Sequence, residues 1–418
     1  MLDSRSLEMT LWRGIPEEID FKLPPLLPAE SARKAFWSAA CLAGSVLFPL
    51  IQRFKSISGE PPRRILIIRR GGLGDALMMT PLLQALRDRF ADASISVLIG
   101  QQAVGVLEDN RCVDRIYAVP ASKNEWWGLF RRLRRERFDT AFILHRFFAP
   151  SLLAVALGIP RRLGFYWKRH GFALTAGVPF DPTRSQVVQI GELMTLVGEP
   201  APEPKLYFDP GAKPREGAAA LLREWGYEAR RPLIGMHAGG GETAGSSEPA
   251  KRWLPERFGA VADLLARRDA AQILLLGGPG DEPFISATRS AMRASPLRMV
   301  SGLDLKTFAA VVGACDVMIS NDSGPMHIAV TQDVPVVAIC GPTHPRYTPP
   351  VGEKHKVLWA GVSCSPCYNP DELAETIPLI GKKVFTCWRE THECMKAITV
   401  EDVYAAVKER LASLKKVS

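Results

Sequence analysis

The stretch Arg64-Ile65-Leu66-Ile67-Ile68-Arg69, running through Arg70 into Gly71-Gly72-Leu73-Gly74-Asp75, decides the fold. A short apolar run closed by a glycine cluster reads as a buried parallel strand ending in a tight turn. Ala76-Leu77-Met78-Met79-Thr80-Pro81 then opens a helical pattern that reaches about Phe90, and residues 95–100 (ISVLIG) form a second strand. Strand, glycine-rich turn, helix and strand in that order begin a doubly wound α/β domain. Further strands are expected at residues 115–119 and 140–144. Between them, residues 131–137 (RRLRRER) carry five arginines on a helix. Such a charge run is ordinarily a solvated face; contact with a membrane or an anionic acceptor is the alternative.

A second α/β cycle follows. Residues 199–215 hold five prolines (Pro200, Pro202, Pro204, Pro210, Pro214) and read as an interdomain linker. Beyond it come a helix near 217–225, the strand 233–237 entering Gly239-Gly240-Gly241-Glu242, and a loop reaching Lys251-Arg252-Trp253. A helix at 255–267, the strand 272–276 ending in Gly277-Gly278-Pro279-Gly280, and a helix at 305–313 lead to the strand Val317-Met318-Ile319. That strand opens into Asn321-Asp322-Ser323-Gly324-Pro325-Met326-His327, and a last strand at 334–339 ends in Gly341-Pro342-Thr343. Asp or Ser before a helix caps it, and Pro in the first turn costs little. The N–H groups left at such a terminus, at the positive end of the helix dipole, suit a phosphate; an ordinary capped turn is the plainer alternative. The domains expected are an N-terminal extension (1–62), an N-terminal Rossmann-like domain (63–205) and a C-terminal one (206–418), with a cleft between the last two.

Two phosphate-binding classes are excluded. In the first glycine loop Leu77 stands where a dinucleotide fingerprint needs its third glycine, and the second strand runs into Gly100-Gln101-Gln102 without an acid. No G-x-x-x-x-G-K-[ST] occurs, so the chain is not a P-loop NTPase. At 418 residues, with 47% hydrophobic and 23% charged content, the composition is that of a globular protein of two domains. A net charge of +9 points to anionic partners, and with no nucleic-acid recognition module in view these are a phosphorylated small molecule or a membrane face. Residues 1–19 lack the apolar core of a secretory signal. The uncharged residues 36–51 (FWSAACLAGSVLFPLI), flanked by Arg33-Lys34 and Arg53-Lys55, are too short to span a bilayer. They read either as a helix lying in the membrane interface or as one packed on the body of the protein.

Four motifs in order carry a family resemblance: RILIIRRGGLGDALMMTPLLQALR (64–87), KRW (251–253), NDSGPMHIA (321–329) and GPTHP (341–345). The chain resembles the bacterial lipopolysaccharide heptosyltransferases of glycosyltransferase family 9 over roughly residues 63–410. The resemblance implies the α/β GT-B fold, two Rossmann-like domains facing a central cleft. It implies a cytoplasmic enzyme, peripheral on the inner face of the membrane, inverting and needing no metal for transfer. Its donor would be a nucleotide sugar, typically ADP-heptose, and its acceptor a lipopolysaccharide core or related glycolipid. Where many members carry a histidine near residues 184–189, this chain has Gln186 and Gln189.

Inversion needs a base for the acceptor hydroxyl and something to offset charge on the departing diphosphate. Asp75 matches the family's base; a simple helix cap is its alternative. Lys251 matches the donor-contacting lysine. Asp322, Ser323, Gly324 and His327 match phosphate- and sugar-binding positions, and Thr343 stands near the diphosphate. Glu282 takes the place of the carboxylate on the nucleotide ribose, or is a surface glutamate. Cys364, Cys367, Cys387 and Cys394 form a C-x₂-C followed by two more cysteines, which suits structural zinc, although the gaps depart from a zinc ribbon; free thiols are the equal alternative, with disulfides behind both because a reducing cytosol disfavours them. Cys41, Cys112, Cys315 and Cys340 sit in apolar contexts and are expected in the core. Two other classes fit the same scaffold: a nucleotide-sugar epimerase, which would act without an acceptor, and a non-catalytic envelope-assembly protein.

Overall fold

The computed structural model of the chain describes residues 60–120, 122–243, 246–278, 280–368 and 383–414, together with residues 22, 31, 34–36 and 38–45. Two compact units meet in the sequence between Pro204 and Lys205.

The first unit is built on β1 (Arg64–Arg69), β2 (Ser94–Gly100), β3 (Arg115–Val119), β4 (Thr140–Ile143), β5 (Arg161–Tyr166) and β6 (Ala176–Pro179). They lie in the order β3-β2-β1-β4-β5-β6, every pairing parallel. A parallel sheet is covered on both faces, which is why β1 is an unbroken apolar run, with Ile65 to Ile68 fully buried. On one face Leu66, Ile68, Leu98 and Ile143 pack against Leu129 and Leu133 of the Lys123–Arg135 helix. Each such side chain contributes about 1.5–3 kcal/mol by leaving water. The helix expected from Ala76 to Phe90 is two helices, Leu73–Met78 and Thr80–Arg89. Pro81 explains the break, because it lacks an N–H and belongs in a first turn.

Of residues 36–51, Trp37 and residues 46–51 lie outside the described residues, as does nearly all of the extension 1–62. Residues 38–45 are helical. Cys41 is buried with its Sγ 3.2 Å from Nδ1 of His170, and a Cβ on Gly44 would meet the Phe172 ring at 2.7 Å. That part of the segment packs on its own unit, leaving Phe36 and Leu42 exposed.

The second unit repeats the topology. β7 (Leu233–His237), β10 (Gln272–Leu276), β11 (Arg298–Val300), β12 (Val317–Asn321), β13 (Val336–Ile339) and β14 (Lys356–Leu358) lie in the order β11-β10-β7-β12-β13-β14, again all parallel. Two strands of a small ribbon, β8 (Glu242–Thr243) and β9 (Ser246–Ser247), branch from the glycine loop after β7 and pair antiparallel with each other, and β9 pairs in parallel with β15 (Lys383–Val384). Trp253, Phe258, Ile273, Ile319 and Val337 centre the core, closed by Val403 and Val407 of the Val400–Leu414 helix. The helix expected at 217–225 begins earlier, at Ala212, so the last linker proline, Pro214, sits in a helix rather than before one.

Counted within its own unit, each sheet has strand order 3-2-1-4-5-6. The order reverses between β1 and β4 in the first unit and between β7 and β12 in the second. Open α/β sheets bind ligands beyond the carboxyl ends of the strands at that reversal.

Candidate active site

In the second unit the chain reversal lies between the ends of β7 and β12, which deliver His237 and Asn321. Asn321 is buried, and its amide joins three segments. Its Oδ1 accepts the Trp253 N–H at 3.0 Å, and its Nδ2 donates to the carbonyls of Ala238 and Gly239, each at 3.0 Å. Only this orientation of the amide satisfies all three partners.

The helix Gly324–Thr331 starts directly after it, with Ser323 at the N-cap in extended backbone. Ser323 does not cap its own helix. Its Oγ lies 3.2 Å from Nδ1 of His237 and 3.2 Å from the Asn321 carbonyl, which it can donate to. The helix terminus therefore has no side-chain cap; Pro325 carries no N–H and the Met326 N–H donates to the Ser323 carbonyl at 3.1 Å, so the Gly324 N–H is the first-turn donor left at the positive end of the dipole. Behind Ser323, His237 is fully buried and its Nε2 lies 3.2 Å from Oδ2 of Asp281. Asp281 also accepts the N–H groups of Gly240 and Gly278, at 3.0 and 2.9 Å. Burial by itself would raise Asp281; the hydrogen bond and charge of His237 and those two N–H groups outweigh it and hold the carboxyl at about 2. Gly240 is confined to glycine twice over: its φ is +93° and a Cβ there would come within 2.6 Å of Ser323 Cβ.

Lys251 occupies a short 3₁₀ turn, Pro249–Lys251, and is almost wholly buried. Its Nζ lies 2.9 Å from Glu248 Oε2 and 3.4 Å from Asp322 Oδ2, and 4.0 Å from the centre of the Tyr368 ring. Tyr368 in turn donates its hydroxyl to Glu248. Burial works against the Lys251 charge, but Glu248, Tyr368 and Asp322 more than compensate, so the ammonium stays charged well above the ordinary lysine range. Asp322, which also accepts from the Thr348 hydroxyl at 3.1 Å, thus holds a cation rather than facing an anion. Glu248 and Asp322 together hold the Lys251 ammonium in place beside the helix terminus and offset its charge. His327 and Thr343 are buried in the same unit; burial by itself would raise Asp322, but Lys251 first, then the Thr343 hydroxyl and His327, bring it below the ordinary carboxylate range.

Glu282 is separate from this cluster. It is exposed, and its Oε2 accepts the Gly280 N–H at 3.0 Å. The carboxylate that this loop sends inward is the preceding residue, Asp281. His237, Asp281, Glu248 and Tyr368 were not singled out from the sequence. A histidine closing a strand before three glycines was the one signal for His237, and the Asp-Glu pair before a helix was ambiguous. Nothing local marks Tyr368.

In the first unit, Asp75 stands beyond the carboxyl end of β1, in the first turn of the Leu73–Met78 helix. Its carboxylate ion-pairs with Arg69 and accepts the Gly72 N–H at 2.9 Å. Asp75 thus caps the helix, the plainer of its two sequence readings, while its carboxylate is paired with Arg69. A Cβ on Gly71 would lie 2.0 Å from Asp75 Oδ2, so only glycine leaves room. Burial alone would raise Asp75, but the Arg69 guanidinium and the Gly72 N–H bring it below the ordinary carboxylate range. Arg69 is anchored by a hydrogen bond to the Leu144 carbonyl at the end of β4. The next residue, His145, accepts the Arg70 N–H on Nε2 at 2.7 Å. Burial and the neighbouring guanidiniums of Arg69 and Arg70 keep it well below its usual value, as a neutral imidazole. Gln186 and Gln189 are buried, and Gln189 braces the loop at Asp181 through that residue's N–H and carbonyl, both at 2.8 Å.

Cys41, Cys112, Cys315 and Cys340 are buried, as expected. Cys364, Cys367 and Cys394 are also buried and Cys387 half-buried, all with free thiols. Burial first, then the neighbouring thiols, pushes Cys367 and Cys394 up to about 12. Among the described residues, no group of three or more His, Cys, Asp or Glu is arranged to hold a metal ion. The thiols gather without forming a ligand cage.

Two doubly wound parallel sheets, each with its polar residues at the strand reversal, define a glycosyltransferase of the GT-B type. Residues 126–377 match the model of glycosyltransferase family 9 (heptosyltransferase), and the chain belongs to that family. It is 27% identical over 312 residues to lipopolysaccharide heptosyltransferase 2 of Salmonella typhimurium, a match covering 71% of this chain and 87% of that protein. The solved glycosyl transferase family 9 structure from Veillonella parvula is 25% identical with a TM-score of 0.66, over 84% of this chain and 97% of that one. The structure of E. coli ADP-heptose lps heptosyltransferase II shares the fold, with a TM-score of 0.63 at 23% identity, over 84% and 99% of the two chains.

Proposed function

We propose that this glycosyltransferase moves a heptose from ADP-heptose to a lipopolysaccharide-core or related glycolipid acceptor, with inversion and without a metal, at the cytoplasmic face of the inner membrane. The family and the names of its relatives support the sugar and the acceptor. The observation that carries the donor half is the Lys251 ammonium held 3.4 Å from Asp322, beside the uncapped N-terminus of the Gly324–Thr331 helix. A diphosphate set there accepts N–H groups, lies against a fixed cation and has the Ser323 hydroxyl within its reach.

In the transfer, Asp75 takes the proton of the acceptor hydroxyl as that oxygen bonds to the anomeric carbon. The bond from this carbon to the diphosphate breaks, and the electron pair leaves with the nucleoside diphosphate. Lys251, the helix N–H groups and His327 offset the negative charge that arrives there. Glu282 is assigned to the nucleotide ribose and Thr343 to the diphosphate. The test is a thermal-shift series with ADP-, UDP-, GDP- and dTDP-linked sugars, followed by transfer from the best of them to a heptose-deficient lipopolysaccharide. Selective stabilisation by ADP-heptose together with acceptor-dependent release of ADP is expected. Conversion of the donor with no acceptor present would make the protein an epimerase instead.

A further inference from the structure

The helix Lys123–Arg135 has two unlike faces. Leu129 and Leu133 are buried in the first unit's core, and Trp126 and Phe130 pack partly against it. The opposite face carries Arg131, Arg132, Arg134 and Arg135, all exposed, with Trp127 60% exposed among them. Trp127 is not a stray surface residue: it stacks on Phe130 with ring centres 5.5 Å apart, and the Arg131 guanidinium lies 5.2 Å above its ring. Among the described residues no carboxylate pairs with Arg131, Arg132 or Arg135. Arg131, Arg132 and Arg135 instead line an open groove of about 790 Å³ with Gln101, Tyr117 and Pro120, along the sheet edge formed by β3. The near end of this helix also adjoins the Asp75 loop, since Arg70 lies 5.5 Å over the ring of Trp126.

We propose that this face docks on an anionic phospholipid surface, the arginines on headgroup phosphates and Trp127 in the interfacial layer. An unpaired basic face with an exposed tryptophan is the composition that lies in the headgroup region, where each cation gains from the negative surface potential and the indole is partly buried. Three arginines face the groove against the single carboxylate of Glu125, a net positive charge that suits a sheet of negative headgroups, and Trp127, the one aromatic ring largely exposed on the helix, lies within that charge. Docking here sets the Asp75 end of the first unit against the bilayer. That purpose rests on the glycolipid reading above, whereas the docking itself is tested without any transfer. It also assigns membrane contact to this helix, and not to residues 38–45, whose Cys41 and Gly44 are spent on packing.

The experiment is sedimentation of the full chain with vesicles of phosphatidylcholine alone and of phosphatidylcholine mixed with phosphatidylglycerol. Binding is expected only to the anionic vesicles, and weakening with salt. Arg131→Gln/Arg132→Gln/Arg135→Gln should reduce it on the order of a hundredfold, and Trp127→Ala severalfold, with thermal unfolding unchanged because these side chains are exposed. A control variant removing Arg223, Arg230 and Arg298 from the second unit should bind as the unaltered chain does. Four results overturn the proposal: equal binding to neutral vesicles, undiminished binding by the triple variant, equal loss in the control, or binding of a DNA duplex with the same dependence on these arginines. Failure of ADP-heptose to stabilise the protein would count against the proposed donor and leave vesicle binding unaffected.

Discussion

His237 and Asp281 form a buried pair, Nε2 to Oδ2 at 3.2 Å, directly behind Ser323, the residue that precedes the Gly324–Thr331 helix. The carboxylate fixes which ring nitrogen carries a proton, and so what His237 Nδ1 offers to Ser323. Asp281→Asn should leave the fold intact but disturb that hydroxyl. Losing a hydrogen bond to a charged group predicts a roughly 10–100-fold fall in kcat/KM for the nucleotide-sugar donor, with acceptor KM unchanged. Steady-state kinetics with each substrate varied separately decide it; equal losses toward both would make the pair a mere brace.

The same carboxylate gives a pH signature. Asp281 titrates at about 2 in the folded protein, against roughly 3.9 for an unfolded aspartate. A depressed carboxyl stabilises the fold above its unfolded pKa and loses that contribution as pH falls through the folded value. Between pH of about 4 and 2, the unaltered protein should therefore lose on the order of 1–2 kcal/mol that Asp281→Asn does not, after allowance for partial solvent screening. Denaturant titrations of both chains across this range measure the difference.

Asp75→Asn keeps the shape of the side chain and removes the proposed base. Turnover should drop by about 10²–10⁴-fold, the range of general-base catalysis, while stabilisation by the donor nucleotide sugar is retained. Near-normal turnover would leave Asp75 as the helix cap that its Gly72 contact already makes it.

Lys251→Ala strands Glu248 and Asp322 as adjacent buried carboxylates, and breaking a buried pair in this way costs about 3–5 kcal/mol. Donor affinity and thermal stability should fall together. Lys251→Met, combined with Glu248→Gln, separates the two effects: stability should largely return and donor affinity should not. Calorimetric unfolding and donor titration of the same samples provide the comparison.

With thiols pushed up to about 12, Cys367 and Cys394 should resist alkylation in the native protein at neutral pH, and Cys387, half-buried, should react first. Mass spectrometry after a short iodoacetamide pulse reads the order directly. Stoichiometric zinc in protein purified without chelator, with all four cysteines protected until it is removed, would contradict the free-thiol arrangement.

Apolar runs leading into glycine locate β1, β7 and β10 to the residue, because a strand buried on both faces has little freedom in composition; β3 is placed at Arg115–Val119 as well, although it is a half-buried edge strand. Edge and near-edge strands were harder. β5 begins Arg161-Arg162 and β11 is three residues long, so neither presents such a run. Asp75 and Ser323 stand out in the sequence because each follows a strand in a short motif, and Lys251 because it opens the KRW motif, in a 3₁₀ turn. Their partners could not, since His237, Asp281, Glu248 and Tyr368 become neighbours only through the stacking order of the second sheet. Asp322 shows the limit of a motif: its position was legible, but its direction, toward Lys251 and away from an incoming anion, depends on a loop about 70 residues earlier in the chain.

The carboxamide of Asn321 makes three segments of the second unit move as a single part: the turn carrying Lys251, the glycine loop after β7 and the start of the phosphate-facing helix. If the proposed donor binds there, it meets three segments already tied together, and that part of the ordering entropy was spent when the chain folded. Selectivity at this end would then come from shape that does not yield, so that an ill-fitting donor is turned away instead of being accommodated.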